Sequence, residues 1–399
     1  MPRPLSKKIL AVQPSLTVAL NSKANQMMKE GLPVLSFAVG EPHFNTPQIV
    51  VQAAIEALNQ GKTKYGVPGG GLALRQAICA KLRSENHLEF SDQQIVVGIG
   101  AKEILFHLML SLLNEGDEVL IPAPYWVSYA DQVIAAGGVP VVIPLPEGFP
   151  KTTLDLALIE RFASPKTVAI LLNSPNNPVG YVYSKSELVA LGNYLKTKDW
   201  WVVCDEIYEY LCFDQPHISL LEVFPELKDR LILINGLSKS FSMTGWRVGY
   251  GAGPESVMKL VRSLQSHSST CLPGFIEEAA RVAIQGGRML MKTEIEALNQ
   301  LREKAAVEFA KIPEVQFASP QGAFYFFLDF RKILAEKRGG MTTSFELAQW
   351  FLEKHHVALV PGEAFGAPGF IRFSYAVSES ILLKGIHRMA QALSELKKP

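Results

Sequence analysis

Between residues 94 and 251 the chain alternates short apolar runs, closed by turn-forming residues, with longer amphipathic stretches. The runs Gln94–Gly98, Glu118–Pro122, Val139–Pro144, Thr167–Asn173, Trp200–Asp205, Leu231–Asn235 and Val248–Gly251 have the length of strands. Val168-Ala169-Ile170-Leu171-Leu172 has no polar break, the pattern of a strand covered on both faces. Lys102–Leu113 instead puts Ile104, Leu105, Leu108, Met109, Leu112 and Leu113 on one face, which predicts a helix. Such alternation predicts an α/β domain built around a mainly parallel sheet of these seven strands.

Past Gly287 the texture changes. A helical pattern over Arg288–Ile312, a strand over Gly322–Leu328, a helix over Ser344–Lys354 and a strand over Gly369–Ser374 predict a smaller α+β domain. We expect a large domain over residues 47–287 and a small one over 288–399, with residues 1–46 forming an N-terminal segment of the small domain.

At 399 residues the chain is long enough for two such units. Its 39 basic and 38 acidic residues nearly cancel, so net charge favours neither a nucleic-acid nor a membrane partner. Cys79, Cys204, Cys212 and Cys271 form no C-x-x-C pair and no metal-type spacing, and no apolar run has the ~18 residues of a spanning helix. These features read as a cytoplasmic protein without a metal.

Chemistry gathers where the apolar runs end. Ser238-Lys239-Ser240 follows Leu231–Asn235, and Arg247 comes eight residues after Lys239. A lysine beyond a buried strand can be desolvated, which lowers its pKa and frees the amine for Schiff-base chemistry. Arg247 offers a guanidinium fork suited to a phosphate. A solvated loop carries such a pair equally well. Asp205-Glu206-Ile207-Tyr208 closes another run, where ligands of open α/β sheets collect; a helix-capping aspartate with a packing tyrosine would look the same. Asn173-Ser174-Pro175-Asn176-Asn177-Pro178 makes a stiff turn after a third run, and Asn177 can point over the sheet end. Gly98-Ile99-Gly100-Ala101-Lys102 opens a helix whose free N–H groups can hold an anion. Trp126, in Pro124-Tyr125-Trp126, can stack on a planar ligand or simply fill core.

Taken together, and with Gly40-Glu41-Pro42, Lys64-Tyr65-Gly66, Met243-Thr244-Gly245-Trp246-Arg247 and Ile371-Arg372-Phe373-Ser374-Tyr375, the motifs resemble fold-type I pyridoxal-phosphate enzymes. More closely, the chain is similar to class I aminotransferases of the bacterial aspartate type, subgroup Ib, with the motifs in family order across nearly the whole length. The resemblance implies pyridoxal 5'-phosphate as cofactor. It makes Lys239 the lysine that bonds the cofactor and then moves the proton between substrate and cofactor. Asp205 would pair with the pyridine nitrogen, Tyr208 and Asn177 would bond the ring oxygen, and Trp126 would stack on the ring. Backbone at Ala101 and Lys102, together with Ser238 and Arg247, would surround the phosphate. Tyr65 would reach the phosphate of a neighbouring subunit, implying a homodimer with shared sites. Arg372 would take the substrate α-carboxylate, aided by the Gly40 backbone and Asn177. Two departures stand out: Gly236 replaces a phosphate-binding Ser or Thr of many relatives, and His43 and Asn45 replace acidic residues.

Ser15, Thr17 and Lys102 match the residues that receive the distal carboxylate in acidic-substrate members. They point to aspartate and 2-oxoglutarate, exchanged in a ping-pong cycle. Prephenate, aromatic or other amino donors remain open on the same core residues, as does a pyridoxal-phosphate C–S lyase. An aminotransferase-like sensor of a transcription regulator would carry a fused DNA-binding segment, and only about 40 residues precede the Gly40 motif. A cofactor-free structural relative would not need the intact lysine–aspartate–arginine set.

Overall fold

The computed structural model describes residues 5–12, 16–149 and 154–396. Its strands, in chain order, are β1 (Leu35–Ser36), β2 (Ile95–Ile99), β3 (Glu118–Pro122), β4 (Val139–Ile143), β5 (Thr167–Asn173), β6 (Trp201–Asp205) and β7 (Leu231–Gly236). They continue with β8 (Val248–Ala252), β9 (Tyr325–Asp329), β10 (Val357–Ala358), β11 (Val360–Pro361) and β12 (Phe370–Ser374). All seven apolar runs of the middle chain are strands, with ends shifted by at most one residue.

These seven form one sheet in the order β2-β8-β7-β6-β5-β3-β4. The pairs β3–β4, β3–β5, β5–β6 and β6–β7 are parallel. β8 alone is reversed, antiparallel to both β2 and β7. The sheet is thus mainly parallel, as the alternation of strands and helices predicts. The unbroken apolar runs have a simple cause, because successive side chains of a strand face opposite ways. Val96, Val119, Leu171, Val203 and Ile234 enter one buried cluster, with the helices Ala101–Leu112 and Glu255–Ser266. Their neighbours Val97, Leu120, Ile170, Leu172, Val202 and Leu233 enter another. Each such side chain contributes roughly 1.5–3 kcal/mol by leaving water, before the entropy cost of ordering it.

The C-terminal part builds an antiparallel sheet, β11-β12-β9. The helical pattern after Gly287 resolves into a 3-10 stretch, Gly287–Met291, and a helix, Lys292–Phe309. Helix Ser344–His355 starts at Thr343, whose hydroxyl accepts the Glu346 N–H while Glu346 reaches back, closing a capping box. The N-terminal segment joins this region. β1 pairs in parallel with β10, the Phe37 ring stacks on Phe373 at 4.1 Å, and the Ser374 N–H donates to the Phe37 carbonyl at 3.0 Å. That seating lays Ala38 and Gly40 beside Arg372 of β12.

Candidate active site

A cavity of about 380 Å³ opens where β5, β6 and β7 end. Gly40, Ala101, Lys102, Trp126, Asn177, Asp205, Tyr208, Ser238, Lys239, Arg247 and Arg372 all line it. Tyr65 does not; it is 90% exposed. Ser15, and the side chain of Thr17, lie outside the described residues. The helix that carries Thr17, Leu16–Lys29, does bring Val18 and Asn21 to the wall.

Asp205 ends β6 and is buried. Its Oδ2 accepts the Tyr129 hydroxyl at 2.7 Å and its Oδ1 the Ile207 N–H at 3.2 Å, while Asn173 Nδ2 donates to its carbonyl at 2.9 Å. Burial raises its pKa to about 6, opposed by those two donors and aided by the adjacent Glu206. Such a carboxylate is best ionised when a cation arrives to pair with it.

Lys239 lies in the one-turn helix Leu237–Ser240 directly after β7, where its Nζ donates to the Gly40 carbonyl. Burial first, then the Arg372 charge, pushes its pKa down to about 8, so far more neutral amine is available near neutrality than an ordinary lysine offers.

The reversed β8 begins at the cavity rim, which is how Arg247, just before it, arrives there. Arg247 has φ of +59°, and its Nη1 donates to the Thr244 carbonyl at 2.9 Å. Gly98, Gly249 and Gly236 stand abreast across β2, β8 and β7. A Cβ at Gly249 would lie 2.0 Å from the Ala101 nitrogen, and one at Gly100 would lie 2.5 Å from Arg247 Nη2. The glycines therefore let the opening turn of helix Ala101–Leu112 press onto β8 beneath the Arg247 fork. This places free N–H groups, a helix dipole and a guanidinium around one spot, a cradle suited to a phosphate. At Gly236 a side chain would meet the Val248 carbonyl at 2.8 Å, so the missing hydroxyl goes with close strand packing.

Arg372 is buried, its guanidinium 4.4 Å from the Tyr325 ring centre and 5.0 Å from that of Phe365. Nη1 donates to Asn177 Oδ1 at 3.0 Å and Nη2 to the Ala38 carbonyl at 2.7 Å, while Nε has no partner. No carboxylate among the described residues pairs with it. An uncompensated buried cation calls for an anion from outside the chain. Lys102 adds another, its Nζ 4.9 Å from the Trp126 ring, with its pKa lowered by burial and then by Arg247. The wall thus carries Lys102, Lys239, Arg247 and Arg372 against one carboxylate, Asp205. That donor set fits a phosphorylated, nitrogen-bearing ring together with a carboxylate substrate.

Three tyrosine and asparagine partners escape a reading by strand ends. Tyr129 sits inside helix Ser128–Ala135, Tyr325 hides in the apolar run of β9, and Asn173 looks like the start of a turn. Tyr208 and Tyr325 share a hydrogen bond between hydroxyls at 2.9 Å. His43 and Asn45 are exposed and do not line the cavity. No group of three or more metal-ligating side chains occurs among the described residues, and none of their helices is long and apolar enough to cross a membrane.

Comparison with known proteins bears on this geometry. The profile of the family "Aminotransferase class I and II" matches residues 33–389. A probable aspartate/prephenate aminotransferase of Aquifex aeolicus is 41% identical over 99% of this chain and 100% of its own length. An aspartate aminotransferase of Geobacillus stearothermophilus is 40% identical over 97% and 99%. Among solved structures, the Thermus thermophilus aspartate aminotransferase with maleate superposes with a TM-score of 0.91 at 36% identity, covering 98% of this chain and 100% of that one.

Proposed function

The chain belongs to the class I and II aminotransferases, pyridoxal-phosphate-dependent enzymes that exchange an amino group between an amino acid and a 2-oxo acid, and on that premise we propose its substrates and the role of each residue. The substrates we assign are aspartate and 2-oxoglutarate, giving oxaloacetate and glutamate. The observation that carries this is the pair of cations left for an incoming dicarboxylate: Arg372, buried without a counter-ion, and Lys102, which lines the same cavity. An uncharged side chain would leave Lys102 unmatched. Relatives are named for aspartate, and a solved neighbour is titled with maleate, itself a dicarboxylate.

Arg247, Ser238 and the Ala101–Lys102 backbone would hold the cofactor phosphate, and Lys239 would hold the cofactor through Nζ. Asp205 would face the ring nitrogen, Tyr208 and Asn177 the ring oxygen, and Trp126 the ring face. When bound, the cofactor supplies an electron sink for the charge left at the substrate α-carbon. Arg372 fixes the α-carboxylate, which orients the α-hydrogen toward Lys239 Nζ. As a neutral amine, that nitrogen accepts the proton and later returns it. Tyr129 and the Ile207 N–H keep Asp205 aimed and ionised. With Asn177 bonded to Arg372, one amide links the substrate end of the cavity to the cofactor end.

Prephenate, which also carries two carboxylates, is a second reading favoured by the Aquifex aeolicus relative's name. We divide the chain into domains at residues 47 and 288, supported by the pairing of β1 with β10. We also read the assembly as a cytoplasmic homodimer in which Tyr65 completes the partner's phosphate site. Its exposure, with Ile49, Ile55, Leu58, Val67 and Leu72 also exposed nearby in sequence, supports that reading.

The test follows the cofactor's visible absorption in the loaded protein. Aspartate should bleach the band and 2-oxoglutarate restore it. A band that ignores aspartate but responds to an aromatic or neutral donor would sink the acidic assignment while leaving the family intact.

A further inference from the structure

The segment 205–210 has two faces. Asp205, Ile207 and Tyr208 line the cavity, whereas Glu206 and Glu209 are buried on its other side, 3% and 7% exposed. Two buried carboxylates next to the site, neither used in the chemistry above, require an explanation, since an unpaired buried charge is costly.

Each has its own basic partner. Glu209 pairs with Lys81 and accepts from Asn86 Nδ2 at 2.9 Å. Glu206 Oε2 lies 2.9 Å from His217 Nε2, and its Oε1 accepts the Ser219 hydroxyl at 2.7 Å. The His217 and Glu206 side chains are both almost fully buried, and His217 Nδ1 has no partner. Burial alone would lower the imidazole pKa, but Glu206 overrides it and the net direction is upward. The charged groups acting on His217 are Glu206, Glu209 and Lys81, and Cys204 shares its small cavity as a thiol pushed well up by burial.

We propose that His217 neutralises Glu206 so that Asp205, the next residue, keeps its charge for the cofactor ring nitrogen. Glu206 and His217 are then positioning residues that act through Asp205. The inference rests on the assignment of Asp205 made above. Its physical basis is that an unneutralised carboxylate one residue away disfavours a second negative charge at Asp205, whereas an ion pair in that place does not. The buried packing of His217 keeps the neutralising charge from being replaced by water.

The test measures binding of pyridoxal phosphate to apoprotein between about pH 5 and 8, alongside the pH profile of kcat/KM. H217Q should move the acidic limb of both up by about one pH unit. E206Q, which removes the opposing charge, should move them down or leave them at the wild-type position. The double variant E206Q/H217Q should recover the wild-type limb, a rescue that damaged packing would not give. Superimposed limbs for H217Q and wild type, or a double variant no better than H217Q, would overturn the proposal. Should H217Q not fold, E206Q decides alone, and an upward shift overturns the proposal. D205N separates the two layers: if it leaves cofactor affinity and turnover unchanged, the Asp205 assignment itself fails. If D205N is crippled while the other variants keep wild-type limbs, only the role of His217 and Glu206 fails.

Discussion

The cavity has two walls that are held by different means. On the strand-end wall, Asp205 arrives with its carboxylate already bonded twice and its neighbour Asn173 tied to its backbone, so the geometry is complete before any ligand enters. On the wall built from the N-terminal segment and β12, Arg372 is bonded through Nη1 and Nη2 but keeps an unpartnered Nε and no counter-ion. The first wall is finished by the protein and the second by its substrate. Changes in the first should therefore act through the cofactor and cost the same for every substrate. Changes at Arg372 should weaken the hold on the α-carboxylate that all substrates share, and changes at Lys102 should depend on which side chain is bound.

The sharpest trial is Lys239→Ala, for which turnover should fall about 10⁴-fold with every amino donor. A loss that varied strongly among donors would break the distinction. Arg372→Leu should lower kcat/KM by about 10²- to 10³-fold, as expected when one partner of a buried charge pair is removed. It also gives a pH signature. Arg372 is the second cause, after burial, of the lowered Lys239 pKa, and a nearby cation disfavours the ammonium form. Capture of pyridoxal phosphate by the apoprotein should rise with pH through about 8, and the midpoint should move upward in the variant.

Lys102→Met should cost about tenfold in kcat/KM for aspartate and little for an uncharged donor, the range of a charge-assisted hydrogen bond. Equal losses for both would place Lys102 on the finished wall. Smallest is Tyr325→Phe, which keeps the ring against Arg372 but removes the bond to Tyr208. We expect kcat to drop about threefold to tenfold while KM for aspartate holds. A change in KM alone would show that the hydroxyl serves the substrate side instead.

The same division governs how much could be read from the chain. The seven long strands and the residues at their ends were legible because an apolar run with a turn after it marks both the strand and its end. The direction of β8 was not, since a buried run such as Val248–Ala252 looks alike in either orientation. The strands β1, β10 and β11 span two residues each, too few for any period to appear. Tyr129 and Tyr325 were missed because a tyrosine in an apolar stretch fits packing and hydrogen bonding equally well, and only its partner decides. Arg372 shows the opposite case. Composition and spacing left it an ordinary strand arginine, the family motif assigned it a ligand, and its burial without a counter-ion supplies the physical reason.

The hairpin of β7 and β8 has a consequence for how the chain can change in length. Lys239 and Arg247 are separated by seven residues of a tight reversal, and β8 is locked in register on both flanks, with Gly249 opposite Gly98 and Gly236. One residue inserted before β8 and taken up by sliding the strand would shift it against two neighbours together and bring Val248 to the place of Gly249, where even a Cβ lacks room. A crossover through a helix, such as Lys185–Leu195 between β5 and β6, has two loop ends at which to give way. Scanned by single-residue insertion, the chain should accept extra length around that crossover and reject it throughout residues 241–246, so the ruler between amine and phosphate fork is the part least free to drift.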